Sequence, residues 1–121
     1  MSLPTDSAER KEIPIATGVI DYFPLALAAI AQVSKKGNDK HNPGEPLHWA
    51  REKSADHDDC IMRHFIERGT VDIDGDRHSA KGAWRYLAML ELELEAERAA
   101  TEKAAEKAEL LGYQRPAYSA C

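Results

Sequence analysis

Three features of the sequence predict an all-α fold. Pro24 opens an apolar, alanine-rich run that closes on Lys35, Lys36 and Gly37. Ser54 opens a second run, with Asp56, Asp58 and Asp59 in its first turns and Gly69 after its last. From Arg77 to Leu111 the chain is built mostly of Ala, Leu, Glu, Lys and Arg. Proline at a first helical position, acids where the helix dipole is positive and glycine just past the end all mark helix boundaries. A chain of 121 residues has room for one domain and a single core.

The elements follow in order. Residues 1–20 read as an N-terminal arm: Pro4 and Pro14 interrupt it, Met1 to Lys11 is expected to be loose, and Ile13, Ile15, Val19 and Ile20 suggest a strand-like stretch. The first main helix is expected over Pro24–Lys36, with Leu27, Ile30 and Val33 as its core stripe and Gly37 just past its end. Asn38 to Lys53 then reads as a long polar loop turning at Pro43-Gly44, and ordered loops of that length usually carry function. The second helix is expected over Ala55–Arg68, with Ser54 as N-cap and Ile61, Met62 and Phe65 facing the core. Thr70–Asp76 is a linker. The third helix runs from Arg77 to Leu111 on a stripe of Ala80, Ala83, Leu87, Leu90 and Leu94. Its part beyond Glu95 has little to bury, so it is either a solvated extension or an oligomer contact. The domain thus spans residues 21–112, with 95–112 as a helical extension and 113–121 as a tail.

Composition excludes several classes. Sixteen basic against 21 acidic residues leave a net charge of −5, so no broad basic surface exists for a nucleic-acid backbone, and no nucleic-acid partner is expected. The apolar stretch Phe23–Val33 is too short to span a bilayer and is interrupted by Gln32, so no membrane partner is expected either. Met1–Lys11 lacks the apolar core of a signal peptide, and the two cysteines, Cys60 and Cys121, read as free thiols in a cytoplasmic protein. Rossmann, Walker, zinc-ribbon and nucleophile-elbow motifs are absent.

Several constellations admit two readings each. Asp56-x-x-Asp59 sets two carboxylates at i and i+3, suited either to a hard divalent cation or to the helix dipole. His57-Asp58 matches the dyad of HD-type phosphohydrolases, although Asp58 also points toward Ile61 and Phe65 as a cap would. Asp72-x-Asp74-Gly75-Asp76 lacks EF-hand spacing and reads as a turn and helix cap. Lys81 and Arg85, at i and i+4, suit polyphosphate oxygens or pairing with Asp59 or Glu67. Trp49 suits stacking on a nucleobase or plugging the loop onto the core. Trp84 and Cys60 read as core.

Taken together, Ser34–Gly44, His48–Cys60 and Arg63-His64 followed by Val71–Arg85 resemble the phage dATP/dGTP diphosphohydrolase group, small MazG-like members of the all-α nucleotide pyrophosphohydrolases. The resemblance covers about residues 22 to 95. It implies a MazG-like helical bundle completed by oligomerisation, with an ordered substrate loop and a long C-terminal helix, assembled as a homodimer or homotetramer. It also implies Mg²⁺ or Mn²⁺, two or more ions, held by acidic side chains. The implied reaction splits a purine deoxynucleoside triphosphate, dGTP or dATP, into the monophosphate and pyrophosphate, in phage nucleotide-pool control or 2-aminoadenine DNA synthesis.

The wider superfamily carries a Glu-rich motif on one helix and Glu-x-x-Asp on the next. Here Pro24–Lys36 holds no acid, and Asp56-x-x-Asp59 approximates only the second motif. The roles implied are Asp56 and Asp59 as metal ligands with Asp39 as a further candidate, and Glu91 or His78 as other possible completions. Lys53, Lys81, Arg85 and Arg63 would hold phosphates, with Lys53 counted beside the two aspartates in the catalytic set. Asn38, His41 and Trp49 would face the base. The rival readings are an HD-type triphosphohydrolase and a non-catalytic adaptor that uses the Glu95–Leu111 helix.

Overall fold

The computed structural model describes residues 3–112; the expectations for Cys121 and the tail lie outside them. Four α-helices make up the described chain: α1 (Ser7–Lys11), α2 (Pro24–His41), α3 (His57–Ile66) and α4 (His78–Leu110). A π-helical turn at Ala16–Ile20 and a 3₁₀ turn at Arg51–Lys53 complete the regular structure. The only β-type pairing among the described residues is an isolated bridge between Val71 and Arg77.

The N-terminal arm is helical, not strand-like. Asp6 caps α1 by accepting from the Glu9 backbone N–H at 3.1 Å, and Glu9 three residues on completes the sequence pattern of a capping box. The Gly18 N–H donates to the Pro14 carbonyl at 2.7 Å. The alternation of Ile13 and Ile15 has no neighbouring strand to pair with, so the helical turn wins.

Helix α2 passes through Gly37 and ends at His41. A mid-helix glycine costs only about 1 kcal/mol, and two local interactions oppose it. Lys35 pairs with Asp39 one turn on at 2.7 Å, and Asn38 is buried. The stop comes from Pro43, which disfavours helical geometry at Asn42; there φ is −134° and ψ 59°. Asn38, Asp39 and His41 are therefore helical residues, and the loop proper begins at Asn42.

Helix α3 is shorter than expected, with Asp56 rather than Ser54 at its N-cap and no side-chain cap bond. The Ser54 hydroxyl instead donates to Asp56 Oδ1 at 3.1 Å and accepts from Arg85. Helix α4 matches expectation within a residue at each end, and Gly112, at φ 69°, follows it.

Helices α3 and α4 form the main packed pair, with α2 against α4 as a smaller contact. The pair is antiparallel: Glu67 meets His78, His64 lies against Gly82, and His57 reaches Arg85. The buried apolar residues among those described are Cys60, Ile61, Ala80 and Ala88. The expected stripes are otherwise poorly covered. Leu27, Ile30, Val33 and Ala83 are half-buried, while Met62, Phe65, Leu87, Leu90 and Leu94 are exposed. Small residues let α3 and α4 approach closely, and the larger apolar side chains flank that seam, exposed among the described residues. No single described helix is long and apolar enough to cross a membrane.

Candidate active site

The C-terminal half of α2, the loop after it, the start of α3 and the first turns of α4 enclose a cavity of about 570 Å³. That volume falls in the range of small-molecule sites. Of the residues singled out from the sequence, Asn38, His41, Trp49, Lys53, Lys81 and Arg85 line it. Asp39, Asp56, Asp59 and Arg63 are not in its wall.

Asn38 is buried and organises the loop. Its Nδ2 donates to the Glu45 carbonyl at 3.1 Å, and its Oδ1 accepts from the His48 N–H at 3.4 Å. Both ends of the amide are thus engaged by the chain itself. The loop presents Trp49 edge-on to Trp84, with ring centroids 6.0 Å apart and planes at 80°. Trp84 is therefore part of the cavity wall and only half-buried, rather than core. The Arg51 guanidinium lies over Trp49 at 4.1 Å and pairs with Glu95 on α4, which fastens the loop to the long helix.

The three cations of the wall differ in their partners. Lys53 Nζ donates to Asn42 Oδ1 at 2.9 Å. Arg85 donates to Ser54 and stands 3.4 Å from His57 Nδ1. Neither meets a carboxylate in these contacts, so both keep charge available for an anion. Lys81 sits between Asp72 at 2.7 Å and Asp74 at 2.6 Å, in place of the expected Asp59 or Glu67. Burial opposes its charge, but the hydrogen bonds to Asp72 and Asp74 raise its pKa above the ordinary lysine value. The Lys81 hydrogen bond, followed by the Ile73 N–H, in turn lowers the Asp72 carboxyl to about 2. The Asp72–Asp76 segment is a turn closed by Gly75 at φ 87°, and Lys36 holds it to α2 through Asp76 at 2.9 Å. The side chain of Asp76 is buried.

Asp56 lies at the mouth of α3. The Ser54 hydroxyl and then its own backbone N–H, followed by Arg63, hold its carboxyl below the usual range. Arg63 donates to it at 3.4 Å and to Cys60 Sγ at 3.0 Å. Asp39 is held by Lys35 on the exposed side of α2. Among the described residues no three His, Cys, Asp or Glu side chains stand close enough together to hold one ion. Asp58 is exposed and accepts from the Asp59 N–H at 2.9 Å, so it diverges from His57 rather than forming a dyad with it.

Among the histidines, sequence reasoning gave His64 no role and weighed His57 only in a dyad with Asp58. His57 lines the cavity and is buried, and its Nε2 has no hydrogen-bond partner. His64 also lines it and meets His78, Nδ1 to Nδ1, at 3.0 Å. The sequence already sets His57 and His64, seven residues apart, on one face of α3, but spacing alone assigned that face no chemistry.

Residues 4–102 match the family model described as dATP/dGTP diphosphohydrolase, N-terminal. No curated protein and no solved structure matches the chain. The matched segment contains every wall residue of the cavity and ends within the second half of α4.

Proposed function

From the chain's place in the dATP/dGTP diphosphohydrolase family, a family of nucleotide pyrophosphohydrolases, we propose that it hydrolyses dGTP or dATP to the monophosphate and pyrophosphate in the 570 Å³ cavity. The observation that carries this reading is the division of the cavity wall. Trp49 and Trp84 offer an aromatic corner for a purine, and Lys53, Arg85 and Lys81 offer cations for the phosphates. Indole faces stack on any base. A guanidinium grips two phosphate oxygens at once, while an ammonium acts as a point charge. His41, exposed at the last turn of α2, stands on the same wall.

Mg²⁺ or Mn²⁺ is part of the proposal on the chemistry of the substrate, because a triphosphate entering an acidic chain needs a cation to offset its charge. The residues of one chain do not themselves fit a protein-held ion. Asp76 is the sole carboxylate of the cavity wall and is taken by Lys36. Carboxylates for the ion, with Asp56 and Asp59 as the candidates, would meet it only across two chains. A homodimer or homotetramer is proposed on the same footing, since it would also cover the exposed Phe65, Leu87, Leu90 and Leu94. The setting proposed is the cytoplasm, in control of a purine deoxynucleotide pool such as that of a phage.

The test is to incubate the purified protein with each of the four dNTPs and Mg²⁺ or Mn²⁺, with a chelated control, and to separate the products. The expected result is metal-dependent release of dGMP or dAMP with pyrophosphate. Release of tripolyphosphate, or no turnover of any dNTP, would overturn the reading.

A further inference from the structure

The histidine that best fits proton transfer at this site is identified by a chain of three side chains. Glu67, at the end of α3, faces His78 Nε2 at 3.1 Å. A carboxylate only accepts, so that nitrogen carries the proton. With Nε2–H committed, a neutral His78 has a bare Nδ1. In that form of His78, His64 Nδ1 donates across the 3.0 Å contact to His78 Nδ1. The remaining nitrogen of His64, Nε2, carries a lone pair and no proton. His64 lines the cavity, so this lone pair is the polar group it can offer to a ligand there.

The surroundings favour the neutral form of the His64 ring. Burial lowers the pKa of His64 below the ordinary value, and the cations Lys81 and Arg85 add to the effect, with Asp72 opposing. The ring is also held in place: it stacks at a tilt on His78, with centroids 5.2 Å apart, and its Cβ lies 3.5 Å from where a Cβ on Gly82 would stand.

We propose that His64 Nε2 accepts the proton of the water that attacks the substrate, with His78 and Glu67 as its positioning residues. The step rests on the reading of the cavity as a triphosphate site. The water oxygen forms a bond to the α-phosphorus, its proton passes to His64 Nε2, and the bond from that phosphorus to the α–β bridging oxygen breaks. Both electrons of that bond leave with pyrophosphate, and His64 returns the proton to solvent. Lys81 and Arg85, beside the same ring, stand where the phosphate charge would lie.

Two measurements on the full-length protein test this. The first needs no turnover: the ¹⁵N signals of the imidazoles at pH 7.5. The expected pattern for His64 is a protonated Nδ1 and a bare Nε2. A proton on Nε2 would overturn the proposal, even in an active enzyme, and would leave the reading of the cavity standing. The second is the pH profile of dGTP or dATP hydrolysis. Activity of the wild type is expected to fall with acid below the ordinary histidine value of about 6.5. His64→Gln is expected to lower kcat by about 100-fold or more with KM little changed, and to lose the acid limb. His78→Gln is expected to move that limb. Added imidazole is expected to restore part of the activity of His64→Ala, a rescue that a merely structural role would not give. An acid limb that persists in His64→Gln with kcat within a few-fold of wild type would overturn the assignment. Wild-type protein that turns over no dNTP would overturn both it and the cavity reading, whereas failure of the variants alone counts only against His64.

Discussion

The two halves of α4 are one helix with two different reasons to be helical. From His78 to about Leu94 it is shaped by its neighbours: Ala80 and Ala88 are buried against the rest of the fold, and Lys81, Trp84 and Arg85 face the cavity. From Ala96 to Leu110 nearly every residue is exposed, and the run of Ala, Glu, Lys and Leu sustains the helix by intrinsic propensity alone. Glu95 marks the join, because there Arg51 ties the loop to the helix. The lesson is that helical pattern and functional content are separable along a single element. The first half contains residues of lower helix propensity, such as Trp84, which stands in the cavity wall.

That contrast can be broken most severely at Arg85. Arg85→Ala removes a cation that meets no carboxylate in its contacts, and kcat/KM for dGTP or dATP is expected to fall by about 100-fold or more, or about 2.7 kcal/mol. Steady-state kinetics would show it. The next largest effect is expected on the packed seam. Ala88 is 4% exposed, so Ala88→Leu should overpack it and cost about 1–3 kcal/mol in chemical denaturation. Ala99→Leu, in the exposed half, should stay within about 0.5 kcal/mol. Equal effects at the two positions would show that the second half is also packed. Gly82→Ala should sharpen the comparison with a small gain, about 0.5–1 kcal/mol, since its new Cβ would meet only ordinary contact with His64. A loss of stability there would mean that α3 and α4 tolerate no separation at all.

Acid provides a fourth probe, confined to the first half. The Asp72 carboxyl, held down to about 2 chiefly by Lys81, titrates below its unfolded value. The unfolded chain therefore binds a proton first, and the stability this pair contributes is present above about pH 4 and lost as the pH falls toward 2. Lys81→Met should remove that part of the acid sensitivity, as followed by circular dichroism across the range. The His64 ring, with its lowered pKa, adds a loss in the same direction beginning near pH 6.5.

Much of the fold was legible in the sequence because its signals are local. Pro24 marked the start of α2, and the propensity run from Arg77 marked α4 to within a residue at each end. The end of α2 was not legible, because Gly37 was weighed without the buried amide of Asn38, a contact visible only once the loop folds back to Glu45 and His48. Periodicity identified the apolar faces at Phe65, Leu87 and Leu94. It says nothing of whether another chain segment lies over them, and among the described residues none does. In the cavity, the residues read from the loop and from α4 came together, whereas the aspartates did not enter its wall. Charge spacing along one helix shows which side chains share a face, not which way that face points. The His64–His78 contact joins residues 14 apart on different elements, and no spacing rule within either helix reaches it.

The double pairing of Lys81 has a consequence for turnover. A ligand that recruits this lysine must outcompete Asp72 and Asp74 for it, so recognition becomes an exchange of anions rather than the filling of a vacant positive site. A triphosphate, rich in charge, can win that exchange. In the proposed reaction the nucleoside monophosphate would carry much less charge, and the two carboxylates would reclaim the lysine after cleavage. On the proposed function the turn from Asp72 to Asp76 would thus act as an internal competitor, one that favours departure of the nucleotide product and keeps product inhibition weak.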